Sequence, residues 1–370
     1  MSKNQNIKSY FGAGPSKIPN EVLKEVQDEM LNFDSTDVSI LEVSHRSKNF
    51  ENVVNSTVNL VKDLMKVPDN YKVILLQGGG NGQFAGVPLN LLNTTGKADY
   101  IVTGAWSEKA FKEGKKYGAV NSVFQTSKTY TGIPPQDNWV LDPEASYLYY
   151  CDNETIDGVE FDFIPKTRDN VPLVCDMSSN ILSRVFDVSK FGVVFAGAQK
   201  NIGCAGITLV LVRDDLIGKR VFSFEDFKYG VRSCVHLTYD VVHPSKSTRI
   251  YVLNKVLKWV KENGGVENME KMAIEKSSMI YKVIDDSKGF YYSHIKKNSR
   301  SRMNITFRVG GPTGDEALEK KFLEEAAAEG LLALKGHRSV GGVRASLYNA
   351  VTVNDAIRLR DFMKNFMNKQ

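Results

Sequence analysis

The amino-acid sequence predicts an α/β protein in which a mainly parallel sheet lies between helices, followed by a smaller α/β domain. Short apolar runs rich in β-branched residues, such as Tyr71 to Leu76, alternate with stretches of helical periodicity. Two of these runs, Val193 to Phe195 and Ile207 to Val212, are apolar throughout, which is typical of strands covered on both faces. The alternation ends near Arg249, where longer amphipathic segments follow.

The domain organisation follows from chain length and from this change of pattern. A chain of 370 residues is long enough for one large domain with its own core and a smaller second domain. We predict a large domain over residues 17–262 and a small domain over residues 263–370. The segment 1–16 is predicted to pack near the small domain.

Composition argues against several classes of protein. The formal net charge of +5 is small for this length, and the lysines are scattered among acids, so we expect no nucleic-acid partner. There is no run of 18 apolar residues and no signal-peptide core, so we expect no membrane span and a cytoplasmic protein. No CxxC pair occurs, which predicts no metal site and free thiols in a reducing compartment at Cys151, Cys175, Cys204 and Cys234.

A loop of small residues between the runs at 193–195 and 207–212 contains a single lysine, Lys200. Burial lowers the pKa of a lysine, and the neutral amine is a nucleophile that forms Schiff bases. Taken alone, Lys200 is explained more simply as an exposed residue of a tight turn. A second residue changes this interpretation, because Asp176 ends another apolar strand upstream.

Asp176 and Lys200 both lie at the predicted carboxyl ends of buried strands, where open α/β sheets place their ligand sites. They are the two groups that pyridoxal phosphate (PLP) requires. The amine forms an imine, and the carboxylate keeps the pyridine nitrogen protonated so that the ring withdraws electrons. The alternative for Asp176 is a cap on the turn that follows it.

A glycine-rich segment follows the strand at 71–76 and precedes a predicted helix. Backbone N–H groups at a helix start favour a phosphate. The stretch Gly80 to Ala85 also fits the dinucleotide pattern G-x-G-x-x-A. The next strand, predicted over Tyr100 to Thr103, ends without the acidic residue that a ribose requires, and the Walker lysine is missing. The segment therefore predicts a phosphate site without a nucleotide.

Aromatic and basic residues on other loops are further candidates for ligand contacts. Trp106 lies at a turn after a strand, where an indole either stacks on a flat ligand or belongs to the core. Thr155 lies in a polar turn after another strand. Five basic residues, most of them in two His-Arg pairs, indicate an anion site: His45, Arg46, His337, Arg338 and Arg344.

Seven short motifs, in this order along the chain, resemble those of the phosphoserine aminotransferase family of fold type I, PLP-dependent enzymes. They are SHRS, LQGGGNGQF, TGAW, NET, VCDMSSN, AGAQKN and GHRSVGGVRASLYNA. The resemblance spans nearly the whole chain. It implies the fold type I architecture, PLP as cofactor and a homodimer with the active site at the subunit interface.

The resemblance also implies a role for each candidate residue. Lys200 would form the imine with PLP, Asp176 would face the pyridine nitrogen, and Arg344 would take the substrate α-carboxylate. Trp106 would stack on the ring, and Thr155 would hydrogen-bond near its hydroxyl group. The cofactor phosphate would be held by Gly80, Asn81 and Gln199. The distal phosphate or γ-carboxylate of the substrate would be held by His45, Arg46, His337 and Arg338.

The activity that the resemblance implies is transfer of the amino group of L-glutamate to 3-phosphohydroxypyruvate. The products are O-phospho-L-serine and 2-oxoglutarate, the mechanism is ping-pong, and the pathway is serine biosynthesis. Two other classes stay open. A PLP-dependent lyase or desulfurase would need Cys204 as a mobile, exposed thiol, and a non-enzymatic phosphate-binding module would bind no coloured cofactor.

The chain departs from the family's pattern in two places. Ala13 stands where the family has the first proline of a Gly-Pro-Gly-Pro loop. The family's Asn-Thr-Pro element, which reaches the neighbouring subunit's cofactor phosphate, has no secure match within Val231 to Arg249. Register from the following helix places His243 and Pro244 near that position.

Overall fold

The computed structural model of the chain describes residues 8–92, 95–127, 129–218 and 247–370. Cys234 and the segment that contains His243 and Pro244 lie outside the described residues. The strands are β1 Ser9–Tyr10, β2 Tyr71–Leu76, β3 Lys97–Ile101, β4 Ala119–Ser122, β5 Leu148–Cys151, β6 Leu173–Asp176, β7 Val193–Gly197, β8 Thr208–Arg213, β9 Tyr291–Tyr292, β10 Asn304–Val309, β11 Leu331–Leu332 and β12 Val343–Ser346. The α-helices are α1 Asn20–Glu29, α2 Lys48–Met65, α3 Gly79–Leu91, α4 Ala105–Gly114, α5 Ser247–Glu262, α6 Gly265–Asp286, α7 Glu316–Ala328 and α8 Val353–Asn368.

A seven-stranded sheet with the order β2-β8-β7-β6-β5-β3-β4 forms the centre of the molecule. All neighbouring strands from β7 to β4 run parallel, which confirms the predicted α/β fold with a mainly parallel sheet. β8 is antiparallel to both β2 and β7. The reason lies in the connection, since β7 returns directly into β8 through residues 198–207 without the crossover helix that a parallel pair needs.

Helices cover both faces of this sheet. On one face, Phe50 and Val61 of α2 and Leu253 of α5 pack against apolar residues of the strands. On the other face, Phe84 of α3 and Ala110 of α4 pack in the same way. This burial on both sides explains why the central strands are apolar at every position rather than at alternate ones.

A smaller antiparallel sheet with the order β12-β10-β9 packs against α6, α7 and α8. The short strand β1 pairs in parallel with β11, so the start of the chain joins this second sheet region. Helix α6 contributes Met269 to the core of the large sheet and Ile280 to the core of the small one. The domain boundaries after residues 16 and 262 stay a prediction.

Local sequence signals place most element boundaries. The Ser47 side chain accepts a hydrogen bond from the Phe50 N–H at the start of α2, and Thr352 and Asp355 form a capping box at the start of α8. The strand predicted to start at Tyr100 begins earlier. Asp99 is accommodated inside it, because its buried carboxylate accepts hydrogen bonds from the Asn121 side chain and from the backbone of Asp142. No helix in the described ranges is long and apolar enough to cross a bilayer.

Candidate active site

The carboxyl ends of β5, β6 and β7 open into a cavity of about 160 Å³. The carboxyl ends of parallel strands lie at the same edge of a sheet, so the polar residues that follow these strands come together there. The cavity brings together every residue for which the sequence predicts a cofactor contact: Gly80, Asn81, Trp106, Thr155, Asp176, Gln199 and Lys200.

Lys200 lies in this cavity and not on the surface of a turn. Its side chain is only 9% exposed, and Nζ donates a hydrogen bond of 2.6 Å to Thr155 Oγ1. Nζ also lies 6.0 Å from the centroid of the Trp106 ring. Burial lowers the pKa of Lys200 to about 8, against an opposing effect of the Asp176 charge. The neutral, nucleophilic amine is therefore accessible near neutral pH.

Asp176 lines the same cavity and also closes the turn after β6. Oδ1 accepts a hydrogen bond of 2.8 Å from the Ser178 N–H, so the alternative role as a cap is present too. Burial raises the pKa of Asp176, while hydrogen bonds from Ser178 and the positive charge of Lys200 act in the opposite direction. A buried carboxylate in this setting favours a proton donor or a cation beside it.

The glycine-rich start of α3 presents bare backbone to the cavity. Gly78 adopts a left-handed conformation with φ of 101°, and the first intrahelical bond is donated by Gly82 to Gly78. The N–H groups of Gly79, Gly80 and Asn81 consequently have no intrahelical acceptor. A β-carbon at position 80 would lie 3.7 Å from Asp176 Oδ2, so a side chain here would reduce the space above that carboxylate.

Trp106 forms another wall of the cavity, at the start of α4. The indole is half-buried, and its Nε1 is buried without a hydrogen-bond partner in the described ranges. An amine, a buried carboxylate, a flat aromatic wall, a hydroxyl and free N–H groups thus face one space. This donor set fits PLP, whose aldehyde, pyridine ring, hydroxyl and phosphate each find a matching group.

The basic residues predicted to bind anions divide into two groups. Arg344 on β12 donates a hydrogen bond of 3.2 Å to the Thr155 carbonyl, beside the Lys200 cavity. The pKa of His337 is lowered, mainly by burial and further by the positive charges of Arg344 and Arg338. Burial also lowers the pKa of Arg344, and an anion would relieve that cost.

The second group, His45 and Arg46, lies on the loop before α2, where Arg46 is exposed and His45 half-buried. No hydrogen bond, ion pair or ring contact within the described ranges joins either side chain to the Lys200 cavity. Of the five predicted anion-binding residues, all of which the structure describes, Arg344 is the one whose hydrogen bonds reach a residue lining the Lys200 cavity.

Sequence reasoning missed the part played by the loop before α1. The backbone N–H of Ser16 donates a hydrogen bond of 2.9 Å to the Gln199 carbonyl, and its Oγ donates one of 2.6 Å to the Lys200 carbonyl. A β-carbon at Gly14 would lie 3.4 Å from Lys200 Cε, and the φ of 137° there favours glycine. This loop fixes the backbone of Lys200, and no local pattern signals a partner so distant in sequence.

Comparison with known proteins agrees with this geometry. A family model for aminotransferase class-V matches residues 9–359. A curated phosphoserine aminotransferase of Drosophila melanogaster is 53% identical over 362 residues, which cover 96% of this chain and 97% of the relative. The solved phosphoserine aminotransferase from Bacillus circulans subsp. alkalophilus is 40% identical with a TM-score of 0.90, and the match covers 99% of both chains.

A PLP-bound phosphoserine aminotransferase from Trichomonas vaginalis is 36% identical, with a TM-score of 0.88 over 97% of this chain and all of that one. Identity at this level over the whole length, in a fold whose cavity fits PLP, leaves one assignment. The chain belongs to the phosphoserine aminotransferase family of class-V aminotransferases and is a PLP-dependent enzyme.

Proposed function

We propose that this chain transfers the amino group of L-glutamate to 3-phosphohydroxypyruvate, giving O-phospho-L-serine and 2-oxoglutarate, by a ping-pong mechanism in L-serine biosynthesis. The observation that carries the proposal is the hydrogen bond from Arg344 to the Thr155 carbonyl, which places a cation at the wall of the Lys200 cavity. This cation suits the carboxylate of an amino-acid substrate, and the cations of the preceding loop, His337 and Arg338, suit a second anion on its side chain.

When bound, PLP supplies an electron sink for the electrons left at the substrate Cα after deprotonation. Lys200 would hold the cofactor covalently through Nζ and, once released, take the proton from Cα. Its lowered pKa of about 8 suits both tasks near neutral pH. The Thr155 hydroxyl, 2.6 Å from Nζ, keeps the amine aimed into the cavity.

Asp176 would hold a proton on the pyridine nitrogen, and Trp106 would stack on the ring. The buried position of Asp176 makes this contact strong, because few water molecules compete for the carboxylate. The phosphate would be held at the start of α3 by Gly80 and Asn81, together with Gln199, which lines the same cavity.

Two sets of positively charged side chains would bind the two anionic groups of the substrate. Arg344 would take the α-carboxylate that every amino acid carries, while Arg338 and His337 would take the distal phosphate or γ-carboxylate. A guanidinium binds both kinds of anion with similar geometry, so one site can serve glutamate and phosphoserine in turn.

Donor specificity tests this assignment. Arg338→Ala should lower kcat/KM for phosphoserine and glutamate roughly 10- to 100-fold, because a charge-assisted hydrogen bond contributes about 1.5–3 kcal/mol. Alanine has no distal anion and should be affected much less. The matched variant Arg344→Ala should impair all three donors alike. An equal loss for alanine and phosphoserine in Arg338→Ala would contradict the proposed substrate.

We also propose a homodimer in which His45 and Arg46 complete the partner's site. Support comes from the exposed apolar side chains near this pair in sequence, since Leu31 is 81% and Leu41 64% exposed. In a single chain these apolar side chains stay exposed to water, whereas an interface next to His45 and Arg46 would bury them.

Subunit mixing tests this arrangement. Lys200→Ala and Arg46→Ala should each be inactive or nearly so toward phosphoserine. In mixed dimers, one site would combine an intact Lys200 with the partner's intact Arg46. Random reassembly should therefore restore about a quarter of the wild-type sites. No recovery in a mixture shown by mass to contain mixed dimers would mean that Arg46 serves its own chain or none.

The desulfurase alternative loses support, because Cys204 is partly buried and burial raises the pKa of its thiol. Adding glutamate should bleach the visible absorbance of the purified enzyme without release of sulfide from cysteine. A cytoplasmic location is likewise proposed here. It is supported by the three free cysteines of the described residues, Cys151, Cys175 and Cys204.

A further inference from the structure

Two carboxylates lie at the start of α4, the helix that carries Trp106. Glu154 is fully buried, and its Oε2 and Oε1 accept hydrogen bonds of 2.9 Å from the N–H groups of Trp106 and Ser107 respectively. Asp157 Oδ2 accepts one of 2.8 Å from the Ala105 N–H. The first turn of α4 is thus tied to the loop after β5 by three backbone donors.

The two carboxylates differ in how many of their oxygens must accept a hydrogen bond from α4. Each oxygen of Glu154 has its own N–H donor, so both must accept. Asp157 accepts only one hydrogen bond from α4, that of the Ala105 N–H, and one oxygen suffices for it. An amide in place of a carboxylate keeps one acceptor and turns the other into a donor. Asparagine at position 157 can therefore keep the hydrogen bond from the Ala105 N–H. Glutamine at position 154 must lose one of the two hydrogen bonds from α4, because its amide N–H group would face a backbone N–H group.

Gly104 shows how closely Glu154 is packed against the helix start. A β-carbon at this position would lie 2.4 Å from Glu154 Cγ and Cδ. The backbone of Gly104 has a φ of −177°, an extended conformation that any residue adopts. The need for glycine therefore comes from the space that the Glu154 side chain occupies, not from backbone strain.

Glu154 also connects two walls of the cavity. Thr155, its neighbour in the chain, accepts the hydrogen bond from Lys200 Nζ, while Glu154 itself holds the backbone of Trp106. The relative positions of the indole and the lysine hence depend on one short segment. Its burial supports this function, because a carboxylate without competing water holds its donors in a narrow range of geometry.

We infer that Glu154 is a positioning residue for the cofactor ring, acting through the backbone of Trp106 to set the plane on which the pyridine ring of PLP stacks. The inference rests on the proposed function only in that Trp106 contacts the ring. Glu154 touches neither substrate nor cofactor. Its effect should therefore appear in cofactor binding and vanish when the indole is removed.

The test measures the affinity of the cofactor-free protein for PLP by equilibrium dialysis, with the bound cofactor read from its visible absorbance. Glu154→Gln should raise the Kd about tenfold, equivalent to about 1.4 kcal/mol. The matched variant Asp157→Asn removes one charge at the same helix start and should change the Kd by less than about twofold. Urea unfolding of both cofactor-free variants provides the control for a general loss of stability.

A double-mutant cycle separates positioning from a merely structural effect. In a Trp106→Ala background, Glu154→Gln should add little further loss of PLP affinity, because the residue through which it acts is gone. A full tenfold loss in that background, or equal losses in Glu154→Gln and Asp157→Asn, would overturn the inference.

If Glu154→Gln does not fold, Gly104→Ala offers a second route. The added methyl group would displace the side chains of both Glu154 and Asp157. Because Asp157→Asn should have little effect, we assign the expected loss of roughly threefold in PLP affinity to Glu154, and it should again be absent in the Trp106→Ala background. A loss that persisted there would overturn the inference equally. Dialysis of PLP needs no amino-acid substrate, so a wrong substrate assignment would leave these outcomes unchanged.

Discussion

Two lysines are buried in the part of the chain that the structure describes, and their surroundings differ. Lys276 on α6 is 1% exposed, and its Nζ donates to the carbonyls of Tyr348 and Val351 at 2.9 and 2.7 Å. Lys200 has one hydroxyl partner and borders a cavity. Burial lowers the pKa of both, to about 7 for Lys276 and to about 8 for Lys200.

The comparison shows that a lowered pKa does not by itself identify a reactive lysine. A neutral amine has two N–H donors, and the two carbonyls around Lys276 accept both of them. That lysine therefore joins α6 to the segment after β12. Lys200 keeps unused bonding capacity on the side of the cavity, where a carbonyl carbon can approach. Free space beside the amine is the feature that we expect of a nucleophile and not of a structural lysine.

The largest expected effect comes from removing Lys200. Lys200→Ala should lower turnover at least about a thousandfold, because both the covalent attachment of the cofactor and the proton acceptor are lost. In the wild type, borohydride should fix the cofactor to the peptide that contains Lys200. Turnover is measured by phosphoserine formation, and the labelled peptide by mass spectrometry.

Lys276→Met is the control for this experiment. It should keep the borohydride label on Lys200, since its side chain lies outside the cavity described here. A label on Lys276 in the wild type, or on any residue other than Lys200, would contradict the distinction between the two lysines.

The carboxylates near the two lysines should also differ, one being needed for turnover and the other for stability. Asp176→Asn should bind the cofactor but lower kcat/KM by roughly 100- to 1,000-fold, the usual loss for one preorganised electrostatic partner. Near-normal turnover would leave Asp176 with its turn-closing role only.

Asp355 is the matched carboxylate near Lys276. It accepts hydrogen bonds from Ser9 Oγ at 2.6 Å and Lys17 Nζ at 2.8 Å. Asp355→Asn should lower the free energy of unfolding by roughly 1–3 kcal/mol while kcat of the folded enzyme stays close to the wild-type value. A collapse of kcat with unchanged stability would reverse the assignment of the two carboxylates.

The smallest effect is a pH dependence of stability that arises from Lys276. Its pKa is about 7 in the folded chain, against an ordinary value of 10.5 for a free lysine side chain. Between these values the unfolded chain binds one more proton, so stability rises as pH increases from 7 towards 10.5.

Urea unfolding of the wild type and of Lys276→Met checks this dependence. At pH 7 the variant should be less stable by roughly 1–3 kcal/mol, because two buried carbonyls lose their donor. The difference should increase by up to roughly 2 kcal/mol between pH 7 and 9. A pH-independent difference would show that Lys276 is charged in the folded chain.

Sequence patterns predicted the fold where the determinants are local. The apolar strands on either side of Lys200 follow from residues that are close in the chain. The antiparallel direction of β8 did not follow, because a strand buried on both faces has the same apolar pattern whatever the direction of its neighbours.

The same distinction applies to the candidate site. Asp176 and Lys200 were predictable because strand ends of a parallel sheet share one edge. The bond between Ser16 and the Lys200 carbonyl spans 184 residues, and that between Glu154 and the Trp106 backbone spans 48. Serine and glutamate occur throughout the chain, so nothing in the local pattern marks these two.

The pairing of β1 with β11 has a consequence for how the enzyme is made. Ser9 and Tyr10 pair with Leu331 and Leu332, and the adjoining loop places Ser16 on Lys200. During synthesis, β1 is made more than 300 residues before its partner strand β11. At ~10 residues per second, this interval is roughly half a minute. The strand pairing that anchors this loop is thus among the last contacts to form. The segment before α1 gains its support from β11 only after the carboxyl-terminal third of the chain has been made.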